Sequence, residues 1–511
     1  MISDRFYPLD RADASGAASG RTQPGRVASF GQWRLWFLDQ MEPGNPAYNV
    51  QVALRLKGAI DVPALEAAFT EIARRHEILR TSFATIGGEP RQFVSPPGPF
   101  PLPLATVRAR PESEGEAQAL RFASEEARRP FDLARGPLIR ALLIRLADRD
   151  HALVLVMHHI VTDGWSTGVL FRELGALYGA FLHGLPSPLP DVPMQYADFA
   201  DWQRDSLRGE LLQNELTYWR RQLGGQLPAL SLPTDRPRAG GAAARGTGQS
   251  FVVPQETARA LKSLGLDCGA TLYMTLLAAF AVLLHRHGGH EDLVIGTPLA
   301  GRSQIETEEL IGFFINPLAL RIDLSGDPTF RQLLRRVREV ALDAYAHQNL
   351  PFEKVVEALH APRSLGRSPL FQAWFVLQNN ADPRLELEGV IVNPLEPDAA
   401  QLDRGPDGTA RHDLRLGLRS VPEGLSGSIE YRTDLFEPST IASMVSGYEA
   451  ILRTVVRQPD AALTAIVHRL EEARGREEEE RKGRQAEAAR GALRSSRRRP
   501  VRRGPPPPSA T

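Results

Sequence analysis

The sequence is poor in several features that usually classify a protein quickly. It contains one cysteine, Cys268, in 511 residues. No internal disulfide can form, which fits a reducing compartment. It has no charge excess: 61 Lys and Arg balance 61 Asp and Glu, so net charge points to neither nucleic acid nor an anionic membrane. It has no long hydrophobic run. The longest, residues 272–284, is too short to span a bilayer and reads as a buried helix. The opening MISDRFYPLDRADASGAASG lacks the apolar stretch of a signal peptide. Together these features lead to the expectation of a soluble cytoplasmic protein. There is no helical HExxH pair and no short-period repeat.

What is present is an ordinary globular composition, 42% hydrophobic and 24% charged. The length allows two to three domains and a large core. Residues 1–27 are polar, Gly/Ala/Ser-rich and aperiodic, and predict disorder. In DVPALEAAFTEIARRH, Asp61 is placed to cap a helix, Pro63 falls in its first turn, and Val62, Leu65, Phe69 and Ile72 share a stripe. Two apolar runs, 137–146 and 152–157, are joined by ADRD and predict a hairpin. Helical spacing returns from Ser166 and stops at Gly184 and Pro186; a single amphipathic helix is predicted for 196–223. The Pro/Gly/Arg-rich stretch 232–248 is a long connection. After it, strands near 250–253 and 292–297 alternate with helices at 271–287, 330–347 and 352–359. Further strands follow in SPLFQAWFVLQN and LSGSIEYRTDL, and a last helix over 439–458. The class is α/β or α+β in two halves. Residues 467–511 form a charged, Pro-rich tail without the apolar residues for a core.

The chemistry concentrates in LVMHHIVTDGWSTGVL, residues 155–170. Read as a strand, it sends His158 and His159 to opposite faces, so both cannot serve one small site. One can be chemical while the other is buried and hydrogen-bonded. Gly164 allows a tight turn, and Asp163 has two uses. It can orient an imidazole, or it can take an arginine in a buried ion pair that fixes the loop. Ser166 is a candidate N-cap. The split histidines and the lack of a clustered third ligand argue against a metal.

HHIVTDGWS resembles the HHxxxDG signature of the condensation domains of nonribosomal peptide synthetases. SFGQWRLWFLDQ, RHEILRTSF, MQYADFADWQ, IGFFINPLALR, HQNLPFEKVVEAL and RSPLFQAWFVLQN resemble other motifs of that family, in family order, from Ala28 to Ile466. The resemblance implies a V-shaped pair of chloramphenicol acetyltransferase-like lobes, 28–195 and 196–466. It implies an amide-forming acyltransferase, working in a tunnel on two phosphopantetheine-tethered substrates presented by upstream and downstream carrier proteins. Adenylation proteins of the same pathway are implied as partners, with no nucleic acid or membrane, and no cofactor held by the chain itself. His159 takes the family's catalytic position. His158, Asp163 and Gly164 are structural by resemblance, with Arg80 as first and Arg302 as second candidate for pairing with Asp163. Trp165, Ser166 and Asn316 are candidates for lining the substrate tunnel. The Trp165–Ser166 pair and the opening SFGQWRLWFLDQ look like the subtype joining an L-configured donor to an L-configured acceptor. Gly31, Trp33, Asn349 and Leu350 depart from the usual motif residues. No adenylation core or carrier GGxS site is found, so loading and carriage fall to other domains or proteins. Two alternatives are a stand-alone acyltransferase with a soluble acceptor and an inactive synthetase fragment.

Overall fold

Local signals set many of the elements. The computed structural model describes residues 25–107, 112–225, 227, 232–238, 245–360, 368–378, 384–395, 408–472 and 475. The disorder expected for the first residues and for the tail therefore falls largely outside the described residues. Strand β1 (Arg26–Val27) leads into helix α1 (Phe30–Met41). Ser29 caps α1, and the Gln32 side chain returns the bond to the Ser29 backbone. Next come β2 (Asn49–Gly58), α2 (Val62–Arg75), β3 (Thr81–Ile86), β4 (Glu89–Val94), β5 (Leu104–Thr106) and α3 (Glu112–Arg128). Asp61 caps α2 as expected, accepting from Ala64 N at 2.8 Å.

The predicted hairpin is β6 (Ile139–Ala147) and β7 (Asp150–His158), turning at Asp148 and Arg149. Helix α4 (Gly164–Leu182) follows β7. Its cap is Asp163, whose Oδ1 accepts from Ser166 N; Ser166 itself is inside the helix. The single helix expected over 196–223 is two, α5 (Tyr196–Ser206) and α6 (Gly209–Leu223). Gly209 takes a left-handed φ of 60°, a break that helical periodicity on either side did not register.

The second half contains β8 (Gly246–Pro254), α7 (Gln255–Asp267), α8 (Leu272–Gly288), β9 (Asp292–Leu299), β10 (Asn316–Asp323), α9 (Phe330–Ala346), α10 (Phe352–Ala358), β11 (Ala373–Gln378), β12 (Val390–Pro394), β13 (Leu414–Val421), β14 (Gly424–Arg432) and α11 (Pro438–Arg457). The apolar run noted in the sequence is α8, capped by Thr271 and stopped by Gly289 in the left-handed region. Residues 274–284 are all buried, and each large apolar side chain there stabilises the fold by about 1.5–3 kcal/mol. Among the described residues no single helix is long and apolar enough to cross a membrane.

Two main sheets result. One has the order β12-β2-β7-β6-β5 and the other β10-β9-β11-β13-β14-β8; β1, β4 and β3 form a small third sheet. This is the α/β, two-halved architecture the sequence predicts. The halves exchange pieces, however. Strand β12, from the second half, pairs antiparallel with β2 of the first. Leu310, Ile311, Phe313 and Phe314 pack into the core of the first half, as do Tyr196 and Phe199 just past residue 195.

Candidate active site

The sequence reading treats the two histidines as successive strand residues. The structure corrects this. Strand β7 ends at His158, and His159 begins a 3-10 turn, His159–Val161. Alternation stops between them, so both rings line one cavity. Each is fixed differently. The His159 Nδ1 lies 2.7 Å from Thr162 O. A carbonyl only accepts, so Nδ1 carries a proton, and in the neutral ring Nε2 is the nitrogen with the lone pair. The ring packs edge-on against Phe313, 5.0 Å between centroids. His158 uses Nδ1 to accept from Ile160 N at 3.2 Å and meets Phe131 edge-on. Burial, then the neighbouring His159, Arg411 and Arg140, bring its pKa down to about 3. His158 is thus a neutral, hydrogen-bonded support for the turn.

Asp163 ties the turn to the second half of the chain. Its Oδ2 accepts from Phe314 N at 3.0 Å, and its Oδ1 lies 3.3 Å from Arg302 Nη2. Arg302 also donates to Ser166 Oγ at 2.8 Å, to Leu310 O at 2.9 Å and to Thr307 O. Its guanidinium lies 3.9 Å over the Phe314 ring. Between the two arginine candidates the geometry selects Arg302. Arg80 is turned elsewhere, donating to Ser95 O and, at 3.3 Å, to Glu77. It sits on a 3-10 turn beside the small sheet, a placement its motif does not reveal.

Other expected site residues take different places. Gly164 opens α4 and is not in a left-handed turn. Trp165 donates its indole N–H to Glu308 O at 2.8 Å, and Ser166 Oγ accepts from Gly312 N at 3.0 Å. Asn316 holds the carbonyls of Gln348 and Leu350 and the amide of Phe352. None of the three lines the cavity. They fasten the loops around it, because their polar atoms are committed to backbone groups.

The cavity has a volume of about 670 Å³ and draws its walls from both halves. Several of its residues carry no assignment from the sequence although they sit within the family-like motifs. Arg34 and Glu353 form an ion pair of 3.2 Å on the wall. Burial pushes the Glu353 carboxyl up, and Arg34 opposes the shift. Arg34 also reaches over the Phe313 ring that packs on His159. The signal available was their position beside Trp33 and Phe352, charged residues set among large aromatics. Among the described residues no group of three or more His, Cys, Asp or Glu is placed to hold a metal ion.

Such a cavity can hold an extended substrate against a lone-pair nitrogen in an apolar setting. Comparison with known proteins places the arrangement. The family model described as the condensation domain matches residues 26–473. One of the linear gramicidin synthase proteins of Brevibacillus parabrevis is 47% identical over 439 residues, covering 86% of this chain and 6% of that protein. Phosphinothricin tripeptide synthetase PhsC of Streptomyces viridochromogenes is 42% identical over 438 residues, 86% of this chain and 40% of that one. The chain therefore spans well under half the length of these curated relatives. Among solved structures, the X-domain from teicoplanin biosynthesis, in its complex with OxyB, superposes with a TM-score of 0.78 at 32% identity. The match covers 87% of this chain and 96% of that one. The condensation domain from the monacolin K polyketide synthase MokA, at 23% identity and a TM-score of 0.72, shows the shared fold.

Proposed function

The chain belongs to the condensation-domain family, with that family's pair of chloramphenicol acetyltransferase-like lobes, and on this premise we propose that it forms amide bonds in nonribosomal peptide synthesis. The donor is an aminoacyl or peptidyl thioester on an upstream carrier, and the acceptor is the amine of an aminoacyl group on a downstream carrier. Both arrive on phosphopantetheine arms supplied by the carriers, which adenylation proteins load. The lobes are taken as 28–195 and 196–466, and the subtype as L-donor to L-acceptor. One cysteine in the whole chain is in keeping with a reducing, cytoplasmic setting.

The observation that carries this reading is the His159 bond to Thr162 O. It fixes the tautomer and leaves Nε2 as the accepting nitrogen at a cavity made by both halves. In the reaction, the acceptor amine attacks the thioester carbonyl. His159 Nε2 accepts the amine proton as the C–N bond forms. The C–S bond then breaks, and the proton passes to the departing thiolate. A thioester is already activated, so no covalent enzyme intermediate is required. Free α-amino groups titrate near about 8, within reach of an imidazole base. Holding both substrates in one cavity supplies a further share of the rate. His158, Asp163 and Arg302 act as supports that hold His159 in place.

The test is a reconstituted assay with two loaded carrier proteins, read by mass spectrometry of the downstream carrier. Wild type should transfer the acyl group. His159→Ala should lower the rate about 10²–10⁴-fold, the range of a general base. A folded wild type that transfers nothing across several amino-acid pairs would overturn the reading, and a soluble amine acceptor added to the same assay would reveal a free-standing acyltransferase.

A further inference from the structure

One wall of the cavity is not used by the chemistry above. It is built on β9, β11 and the start of β13. In the sheet register Trp374 of β11 faces Gly296 of β9. A Cβ at position 296 would lie 2.4 Å from the Phe371 ring and 2.6 Å from the Trp374 ring. Glycine there is what lets both aromatics lie against the strand. Their centroids are 5.4 Å apart. On this platform the His412 imidazole lies flat, 4.5 Å from the Trp374 ring and 7° from its plane. The next residue pins the backbone: Asp413 takes both Arg238 guanidinium nitrogens, one at 3.1 Å, and lies 3.8 Å from Arg432. His412 is thus a held ring.

Its hydrogen bonding is incomplete. Nδ1 is buried and meets no partner, a condition that a folded chain rarely leaves in place without a use. The ring is half-buried and lines the cavity. Burial, followed by Arg411, Arg415 and Arg34, brings its pKa down to about 3. At neutral pH it is an uncharged imidazole with one donor and one acceptor. Its charged neighbours are themselves engaged. Arg34 pairs with Glu353, Arg415 with Glu430 at 2.7 Å, and Arg411 donates to Ala47 O while its guanidinium lies over Tyr48. Two of the three guanidinium groups are paired with carboxylates, and the positive charge left over disfavours an ammonium beside the ring. A hydroxyl or an amide matches either tautomer. A half-turn of the ring about Cβ–Cγ exchanges its edges while preserving the stack on Trp374.

We propose that His412, held flat on Trp374, is a specificity-determining residue that hydrogen-bonds a neutral polar group, hydroxyl or amide, of the molecule in the cavity. The inference rests on the reading that this cavity holds the substrate. The polar group has two possible sources: an aminoacyl side chain, or an amide of the pantetheine arm.

The experiment is a calorimetric titration of the full chain, with binding read separately from turnover. The probes are pantetheine and aminoacyl-pantetheine analogues in which an amide replaces the thioester, carrying Tyr, Phe, Thr or Val. The variants are His412→Phe, which keeps the stacked ring, and His412→Gln, which keeps a donor and an acceptor; their melting temperatures report folding. If the side chain is the source, wild type binds Tyr over Phe, or Thr over Val, by tenfold or more. His412→Phe then brings that preference within twofold, and His412→Gln retains it in part. If the arm is the source, His412→Phe weakens every probe, pantetheine included, by the same factor of tenfold or more. Binding of every probe by His412→Phe within twofold of wild type overturns the inference. So does a wild type that binds none of them. Condensation turnover is measured alongside: binding that depends on His412 without any turnover would sink the proposed reaction and leave this site standing.

Discussion

Asp163 Oδ1 lies 3.3 Å from Arg302 Nη2, and the two residues are 139 positions apart in sequence. Both side chains are about 2% exposed. Such a pair gives modest net stability because both charges are desolvated, yet removing one partner strands the other. Asp163→Ala removes a helix cap and leaves Arg302 without its carboxylate. It should cost about 3–5 kcal/mol, measured by urea unfolding. Arg302→Leu should cost less, because Asp163 keeps the amides of Ser166 and Phe314. The double variant should cost less than the sum, by about 0.5–3 kcal/mol. Strict additivity would show that the pair does not couple the halves.

Gly312 tests the same junction sterically. A Cβ at this position would sit 2.0 Å from the Tyr196 ring. Tyr196 is fully buried and donates its hydroxyl to Phe313 O, with Ser29 Oγ 2.9 Å from the Tyr196 hydroxyl oxygen. The ring has no room to retreat. Gly312→Ala should destabilise by about 1–3 kcal/mol through overpacking. It should also slow transfer, because Phe313 packs directly on His159. An alanine variant with wild-type melting and turnover would contradict the geometry.

Two pH windows should appear in the stability of the folded chain. The His158 pKa is depressed to about 3, against about 6.5 when unfolded. Between these values the unfolded chain binds a proton that the folded chain refuses. Stability therefore falls as pH drops from about 6.5 towards 3, by up to about 1.4 kcal/mol per pH unit for one such group. His412 adds the same sign over the same range. His158→Phe should flatten this slope, whatever constant penalty it adds by orphaning Ile160 N. Glu173, bonded to His76 and to both ends of the Arg75 fork, is depressed to about 2 against the burial that raises it. Its contribution is complete above about 4.3 and is lost as pH falls towards 2. Glu173→Gln should flatten only that lower window. Unfolding curves with the same pH slopes in wild type and both variants would refute the assignment.

How much of this was legible in the sequence depended on distance along the chain. Helix α2 announced itself through Asp61, Pro63 and one apolar stripe, and α8 through a continuous apolar run, because caps and periodicity are local. The hairpin of β6 and β7 was readable for the same reason. Alternation failed at one residue, where His159 left the strand, and that residue decided how many histidines face the cavity. The partner of Asp163 was beyond local reasoning: Arg80, the first candidate, lies in a family-like motif, and only the folded chain shows that Arg302, the second, makes the pair. Trp165, Ser166 and Asn316 were assigned to the substrate because polar side chains near a motif invite it, and the backbone claimed them instead. His412 and Trp374 meet only through the pairing of β11 with β13 and β9, which nothing in either segment encodes alone.

The pairing of β12 with β2 also bears on recombination. Residues 390–394 complete the edge of a sheet whose other strands lie before residue 159, and Leu395 N continues the contact to Ala53 O. Gly58 and Gly389 meet so closely there that a Cβ on Gly58 would stand 2.5 Å from the opposite carbonyl. A hybrid joined at 195/196, with its front from one protein and its back from another, would inherit a foreign edge strand and a foreign aromatic wedge. A front half made by itself would show β2 as a bare hydrogen-bonding edge, the kind that templates aggregation. Grafts made with this chain therefore have to carry residues 308–316 and 384–395 together with the front half, so that the splice follows the contacts and not the linear order of the sequence.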